Sequence, residues 1–431
     1  MSPRLHVRNG RVICPAQGLD RHTDVFLADG EIAGIDTAPD GFRADDTLDA
    51  TGLLVLPGLV DLGANLREPG ARHKADIASE LRTAAAGGIT AVCASPATQP
   101  VVDNTAVLEQ VRNRAAQADA SRLTPFGALT AGLAGEELSQ MAALRDAGCV
   151  AVSDGGRPVA STLVLRRAME YATTQGLPLV ITPRDGDLSA GGAMHEGWMA
   201  TRLGVAGIPR AAETVALART LALGEDTGAR VHFARLSSAS GVAMVAQARA
   251  EGLPVSADVA MHQLFLTEMD VSGFNSVCRV EPPLRAKEDR EALRRALADG
   301  TIQAVCSDHQ PHDRDAKAAP FVAAEPGISG LDTLLGLALR LEDEGLLSLP
   351  AAVERVTAGP AGLLGLPGGS LRPGAPADLC LVDPWAPWWV TPEALHSRGL
   401  NTPFTGWELT GRVRATLVAG RRVHPPATQS G

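Results

Sequence analysis

No apolar run of about 18 residues free of charge occurs in this sequence, so a membrane-spanning helix is not expected. The N-terminus, MSPRLHVRNGRVICPAQG, has no apolar segment behind a basic start, which argues against secretion and for a cytoplasmic protein. Cysteine is sparse and unpatterned. Cys14, Cys93, Cys149, Cys278, Cys306 and Cys380 form no C-x-x-C pair, and several lie inside apolar runs, as buried reduced thiols do. Positive charge is also short, with 39 Lys and Arg against 49 Asp and Glu and a formal net charge of −10. That removes the clustered cations on which binding to a nucleic-acid backbone depends. No segment is of low complexity; only the tail, PPATQSG, reads as disordered.

What is present is length and apolar content. A chain of 431 residues, 45% hydrophobic, can bury one large core and a smaller one. From residue 53 to about 310, short apolar runs ending in polar or Gly residues alternate with longer Ala- and Leu-rich stretches of helical period. The runs are LLVLPGLVDLG, GITAVCASP, RLTPFGALT, CVAVSDGG, LPLVITP, ARVHFARLSS, LPVSADVAMH and TIQAVCSDH. Eight strands alternating with helices close a (β/α)8 TIM-like barrel, an α/β fold whose chemistry sits at the C-terminal strand ends. TAVLEQVRNRAAQAD and EDREALRRALADG have the spacing of its covering helices. Residues 1–52 and 366–431 show short alternating strands punctuated by Gly, Asp and Pro, and predict a small β-sandwich domain built from both termini around a barrel over 53–365. Gly87, Gly88, Gly155 and Gly156 read as turn and close-packing residues, not as a phosphate cradle.

Ordered strings along nearly the whole chain carry a resemblance: PGLVDLGANLREPG (57–70), AAAGGITAVCASPATQPVVDN (84–104), GIP-x-x-AET (207–214), PPLR (282–285), SDHQPH (307–312), GISGLDTLL (327–335) and NTPFTGWELTG (401–411). In these the sequence resembles the type I dihydroorotases of the cyclic amidohydrolase family. The resemblance implies a two-metal centre that makes hydroxide and polarises a ring amide, with an Asp after the last strand shuttling protons. A bound divalent metal lowers the pKa of water to about 7, which an amide substrate requires.

At the positions that the resemblance assigns to this centre, other residues stand. The His-x-His pair after the first strand is replaced by Gly63 and Asn65. The bridging acid after the fourth falls on Gly155, the His after the fifth on Thr182, and the His after the sixth on Arg235. Asp308 alone is kept, a vestige of the catalytic set. Of three implied ligand-binding positions, Arg67 is retained, while Ala97 and Glu281 stand where the family has Asn. Arg235 places a permanent cation where a dication would sit, so metal binding is opposed as well as unsupported, and no cofactor is expected. Deprived of metal, Asp308 needs another partner, and Arg235 or Arg184 is the candidate. Arg67, Arg184 and Arg235 either line a basic pocket for a small anion or neutralise Asp154, Asp185 and Asp308.

A relocated metal site would have to draw on Asp154, Asp185, His232, His262, His309 and His312, all near strand ends; His262 and His309 fit a hydrogen-bonded structural role better, and His73 and His195 lie in stretches that read as loops. The resemblance therefore implies a non-catalytic homologue, and chains of that kind accompany aspartate carbamoyltransferase of pyrimidine biosynthesis in a hetero-oligomer. The expectation is a pseudoenzyme with that partner, a homodimer on its own. The alternatives are an active cyclic amidohydrolase with a relocated metal and a sensor of a pyrimidine intermediate. Trp385, Trp388, Trp389 and Trp407 are candidate contact residues, unless they pack within the β domain.

Overall fold

In the computed structural model, which describes residues 3–426, the apolar runs become the eight parallel strands of one sheet. They are β1 (Leu59–Ala64), β2 (Ile89–Ala94), β3 (Arg122–Ala128), β4 (Ala151–Ser153), β5 (Leu179–Ile181), β6 (Val231–Phe233), β7 (Val255–Ala260) and β8 (Ala304–Cys306). Neighbours in sequence are neighbours in space throughout. The ring closes just past β8, where His309 N donates to Gly63 O (3.0 Å) and Asn65 N to His309 O (2.8 Å). Leu62, Cys93, Phe126, Ala151, Val180, Ala260 and Cys306 from seven of the strands, with Ala234 just past β6, fill the interior. This is a (β/α)8 barrel.

The covering helices start where the sequence offers caps. Asp76 accepts from Ser79 N at the head of Ile77–Ala86, Asn104 from two amides at the head of Thr105–Ala118, and Ser238 from Gly241 N at the head of Ala239–Ala250. Lys287–Asp299 stops at Gly300, whose φ of +84° is a left-handed conformation that glycine takes without strain.

A second sheet takes Leu5–Cys14, Leu19–Ala28, Glu31–Ile35, Asp46–Asp49 and Leu54–Pro57 from the N-terminal side, and Leu379–Asp383, Arg412–Val418 and Arg421–His424 from the C-terminal side. It forks at Leu5–Cys14, which pairs with Asp46–Asp49 near one end and Leu54–Pro57 near the other. Its own core includes Val12, Val25, Leu27, Val55, Leu379 and Leu417.

Two boundaries differ from the sequence reading. The run LLVLPGLVDLG is not one barrel strand: Leu54–Pro57 pairs with Leu5–Cys14 and Leu379–Asp383, and the barrel begins at Leu59. Gly58 is the hand-over, because a Cβ there would overlap the Thr90 side chain. Nor does all of 366–431 belong to the terminal sheet. Trp388, Val390, Phe404 and Leu409 join the main core with the barrel helices. His195 lies in the short strand Met194–His195, not in a loop, and is buried. Of the tail read as disordered, residues 427–431 lie outside the described residues. All six cysteines are buried thiols. Among the described residues no helix is long and apolar enough to cross a membrane.

Candidate functional site

The C-terminal strand ends surround a cleft of about 160 Å³ that brings Gly63, Asn65, Gly155, Thr182, Arg184, Arg235, Glu281 and Asp308 together. Five of these are the positions that the resemblance assigns to metal ligands, so the folded chain does assemble them.

At its centre Arg235 Nη1 donates to Asp308 Oδ1 (2.7 Å) and Nη2 to Thr182 Oγ1 (2.5 Å). Both Arg235 and Asp308 adopt left-handed backbone, φ +61° and +45°. Asp258 Oδ1 takes Arg235 N (2.7 Å), and His232 Nε2 holds the other Asp258 oxygen (2.9 Å). Glu213 fixes the following turn by accepting from Ser237 N and Ser238 N, each at 3.0 Å, and from both hydroxyls. The guanidinium is thus aimed by strand-end backbone locked from two sides. Burial disfavours its charge, but the charge of Asp308 and their hydrogen bond outweigh burial and hold Arg235 above its ordinary pKa. Arg235 Nε and Asp308 Oδ2 are buried without a hydrogen-bond partner among the described residues.

The other two arginines behave differently. Arg184 does not reach Asp308; it donates from Nη1 to Glu281 Oε2 (2.6 Å) and from Nε to Ser189 Oγ (2.9 Å). Arg67 is turned aside, with Nε on Pro311 O and Nη2 against His312 Nε2, each at 2.9 Å. The cleft is therefore no basic pocket: its lining sets Arg184, Arg235 and Arg285 against Glu213, Asp258, Glu281 and Asp308. Glu281, the departure from Asn beside PPLR, and Arg184, on a different loop, are one ion pair.

Five of the six donors of a relocated metal site are spent elsewhere. His232 lies between Ser256 and Asp258, and His309 between Glu80 (3.0 Å) and Gly330 N. His312 takes Arg67, and Asp185 caps a short helix. Asp154 accepts from Thr182 N (3.1 Å) and Gly156 N (2.9 Å), and burial pushes its pKa up to about 6. The sixth, His262, is buried with Nε2 unpaired among the described residues, and burial lowers its pKa to about 4. Among the described residues no three or more His, Cys, Asp or Glu are disposed to hold an ion.

These residues do not fit a two-metal centre. Gly63 and Gly155 offer no donor, Asn65 Oδ1 accepts Arg67 N (3.1 Å), and Thr182 Oγ1 is taken by Arg235. A side chain at Gly155 would be strained at φ +58°, with Cβ 2.9 Å from Leu133 Cδ1.

The sequence reading missed Glu213, Asp258 and Gln310, the last of which donates to Asp308 at 3.3 Å. Asp258 had a visible signal, a carboxylate set inside the apolar run LPVSADVAMH. Trp385 and Trp389 are exposed, whereas Trp388 is buried and Trp407 lies half-buried under Arg340.

A closed barrel with a terminal-strand domain and a strand-end cleft defines an amidohydrolase-type protein, and solved structures agree. The L-hydantoinase (dihydropyrimidinase) from Arthrobacter aurescens superposes with a TM-score of 0.86 at 25% identity, over 98% of this chain and 96% of that one. Residues 52–240 match the family described as Dihydro-orotase-like. A "Dihydroorotase-like protein" of Pseudomonas aeruginosa is 51% identical over 97% of this chain and 99% of its own length. A "Dihydroorotase" of Syntrophotalea carbinolica is 45% identical over 97% and 98%. The chain belongs to the dihydroorotase-like family.

Proposed function

We infer that this chain is a non-catalytic dihydroorotase homologue that assembles with aspartate carbamoyltransferase and supports it in pyrimidine biosynthesis. One observation carries the first half: the Arg235 guanidinium bonds to both Asp308 and Thr182, at the heart of the cleft where the family's chemistry would require a metal and a free proton shuttle. A permanently charged, non-coordinating group there opposes a dication and occupies the carboxylate that would move protons. The second half rests on the contrast between a degraded site and an intact scaffold. Barrel closure, helices and terminal sheet are complete among the described residues, and a barrel can lose its chemistry while keeping the surface a partner would use, since site and scaffold depend on different residues.

The test has two arms. The purified chain, supplied with zinc, is expected to hydrolyse no dihydroorotate, and turnover above the buffer rate would sink the non-catalytic reading. Co-expressed with aspartate carbamoyltransferase, it is expected to co-elute on gel filtration and to raise transferase activity. Separate elution with unchanged activity would sink the companion reading alone.

A further inference from the structure

Away from the barrel mouth, a second cleft of about 120 Å³ lies where the terminal sheet meets the barrel's flank. Arg412 enters it from the strand Arg412–Val418, His424 from Arg421–His424, and His396 from the segment leading to NTPFTGWELTG. The Arg412 guanidinium lies over the Trp388 ring, 5.6 Å from its centroid, in a cation–π contact. The His396 and His424 rings stand perpendicular with centroids 5.8 Å apart.

The lining has one carboxylate, Asp332, and both its oxygens accept hydrogen bonds. Its Oδ1 accepts from His396 N (2.9 Å) and Nδ1 (3.1 Å), and its Oδ2 from Ser397 N (3.2 Å). That hydrogen bond raises the pKa of His396 against burial and the nearby Arg412. His424 is driven the other way, by burial first and then by His396 and Arg422. Among the described residues neither Arg412 nor His424 has a carboxylate within ion-pair distance. The helix Leu334–Asp343 adds its positive end, since Leu335 and Gly336 line the cleft and Thr333 makes no side-chain capping bond. Exposed Arg412 and half-buried His424 thus face a cavity whose one acid is bonded to His396, so an anion entering it meets two free basic groups and no free carboxylate among the described lining residues.

We propose that this cleft binds a small oxyanion, a phosphate or a carboxylate group, gripped by the planar fork of Arg412 and by His424. Arg412 supplies paired donors matched to two oxygens, and a bound anion favours the protonated His424 that burial, His396 and Arg422 oppose. Binding therefore strengthens as pH falls and His424 takes up its proton.

Sulfate, fully ionised across the range, and acetate are the probes, titrated calorimetrically against chloride at equal ionic strength. The wild-type chain is expected to bind at least one of them saturably, several-fold more tightly at pH 6 than at pH 8. Arg412→Gln and His424→Asn are each expected to weaken binding about tenfold or more while leaving the melting temperature without anion unchanged. Sulfate preference assigns a phosphate-type ligand, and acetate preference a carboxylate. No saturable binding beyond chloride, or binding that survives both substitutions, overturns the proposal. Because Arg412 and His424 lie outside the barrel mouth, neither result bears on the function proposed above.

Discussion

A guanidinium buried against one carboxylate leaves a stranded charge when either partner goes. Arg235→Met is expected to cost about 3–5 kcal/mol, read as a lower urea midpoint, because Asp308 stays buried with Gln310 as its remaining side-chain hydrogen-bond donor among the described residues. Adding Asp308→Asn to the same chain should recover most of that loss. Simple additivity of the two single losses would show that the pair is not what holds the cleft. Restoring the missing acid should be costly as well. Gly155→Asp has to take a left-handed conformation, a penalty of about 1–2 kcal/mol before its contacts with Leu133 and Ala97 are counted. Gly63→Ala, whose Cβ would sit 3.4 Å from Cys306 Sγ in ordinary backbone, is expected to change stability by less than about 1 kcal/mol in the same denaturation assay. Of the five replaced ligand positions, the two glycines are therefore unequal: Gly155 is closed sterically and Gly63 merely empty. The replaced ligands were legible in the sequence, since flanking strings fix their positions. Their new partners were not, because Arg184 finds Glu281 across 97 residues and only folding brings them together.

Between elements, Asp154 ties the end of β4 to the end of β5 through Thr182 N. Its carboxyl is raised from 3.8 to about 6 by burial. A raised acid stabilises the fold fully below its unfolded value, and that contribution disappears as pH rises through the folded value. Going from pH 3.8 to above pH 6, the native chain should thus lose roughly 3 kcal/mol at this group. Asp154→Asn keeps an acceptor for the same amides and lacks the titration, so its urea midpoint should fall less over that interval; parallel pH profiles would refute this. At this scale the sequence was a good guide where periodicity and caps agree, as in Thr105–Ala118 and Lys287–Asp299. It misled in LLVLPGLVDLG, where strands of two sheets run together with the same apolar content. Apolar character reports burial and says nothing of which core does the burying; Gly58 alone marked the change of sheet.

At the level of the whole molecule, Arg122 joins the barrel to the terminal sheet through a paired contact with Asp378, Nε to Oδ2 at 3.0 Å and Nη2 to Oδ1 at 2.9 Å. Thr416 Oγ1 on Ala85 O adds a second tie. Both sides of each tie are far apart in sequence, so the two cores are expected to unfold in one calorimetric transition. Arg122→Ala should weaken that coupling and separate a minor transition from the main one. The barrel itself was readable from eight apolar runs, because alternation of strand and helix leaves few other closed solutions. That the segment 388–409 leaves the terminal sheet for the barrel was not, as its short strands look alike in either setting.

The hand-over at Gly58 has a consequence in time. The strand that leads into β1 finds its second neighbour, Leu379–Asp383, only after more than 300 further residues have been made. A nascent chain thus holds the terminal-sheet strand Leu54–Pro57 by one edge until Leu379–Asp383 has been made. Chains ended after Gly374 are expected to collect in the pellet on expression, whereas the full chain stays in the supernatant.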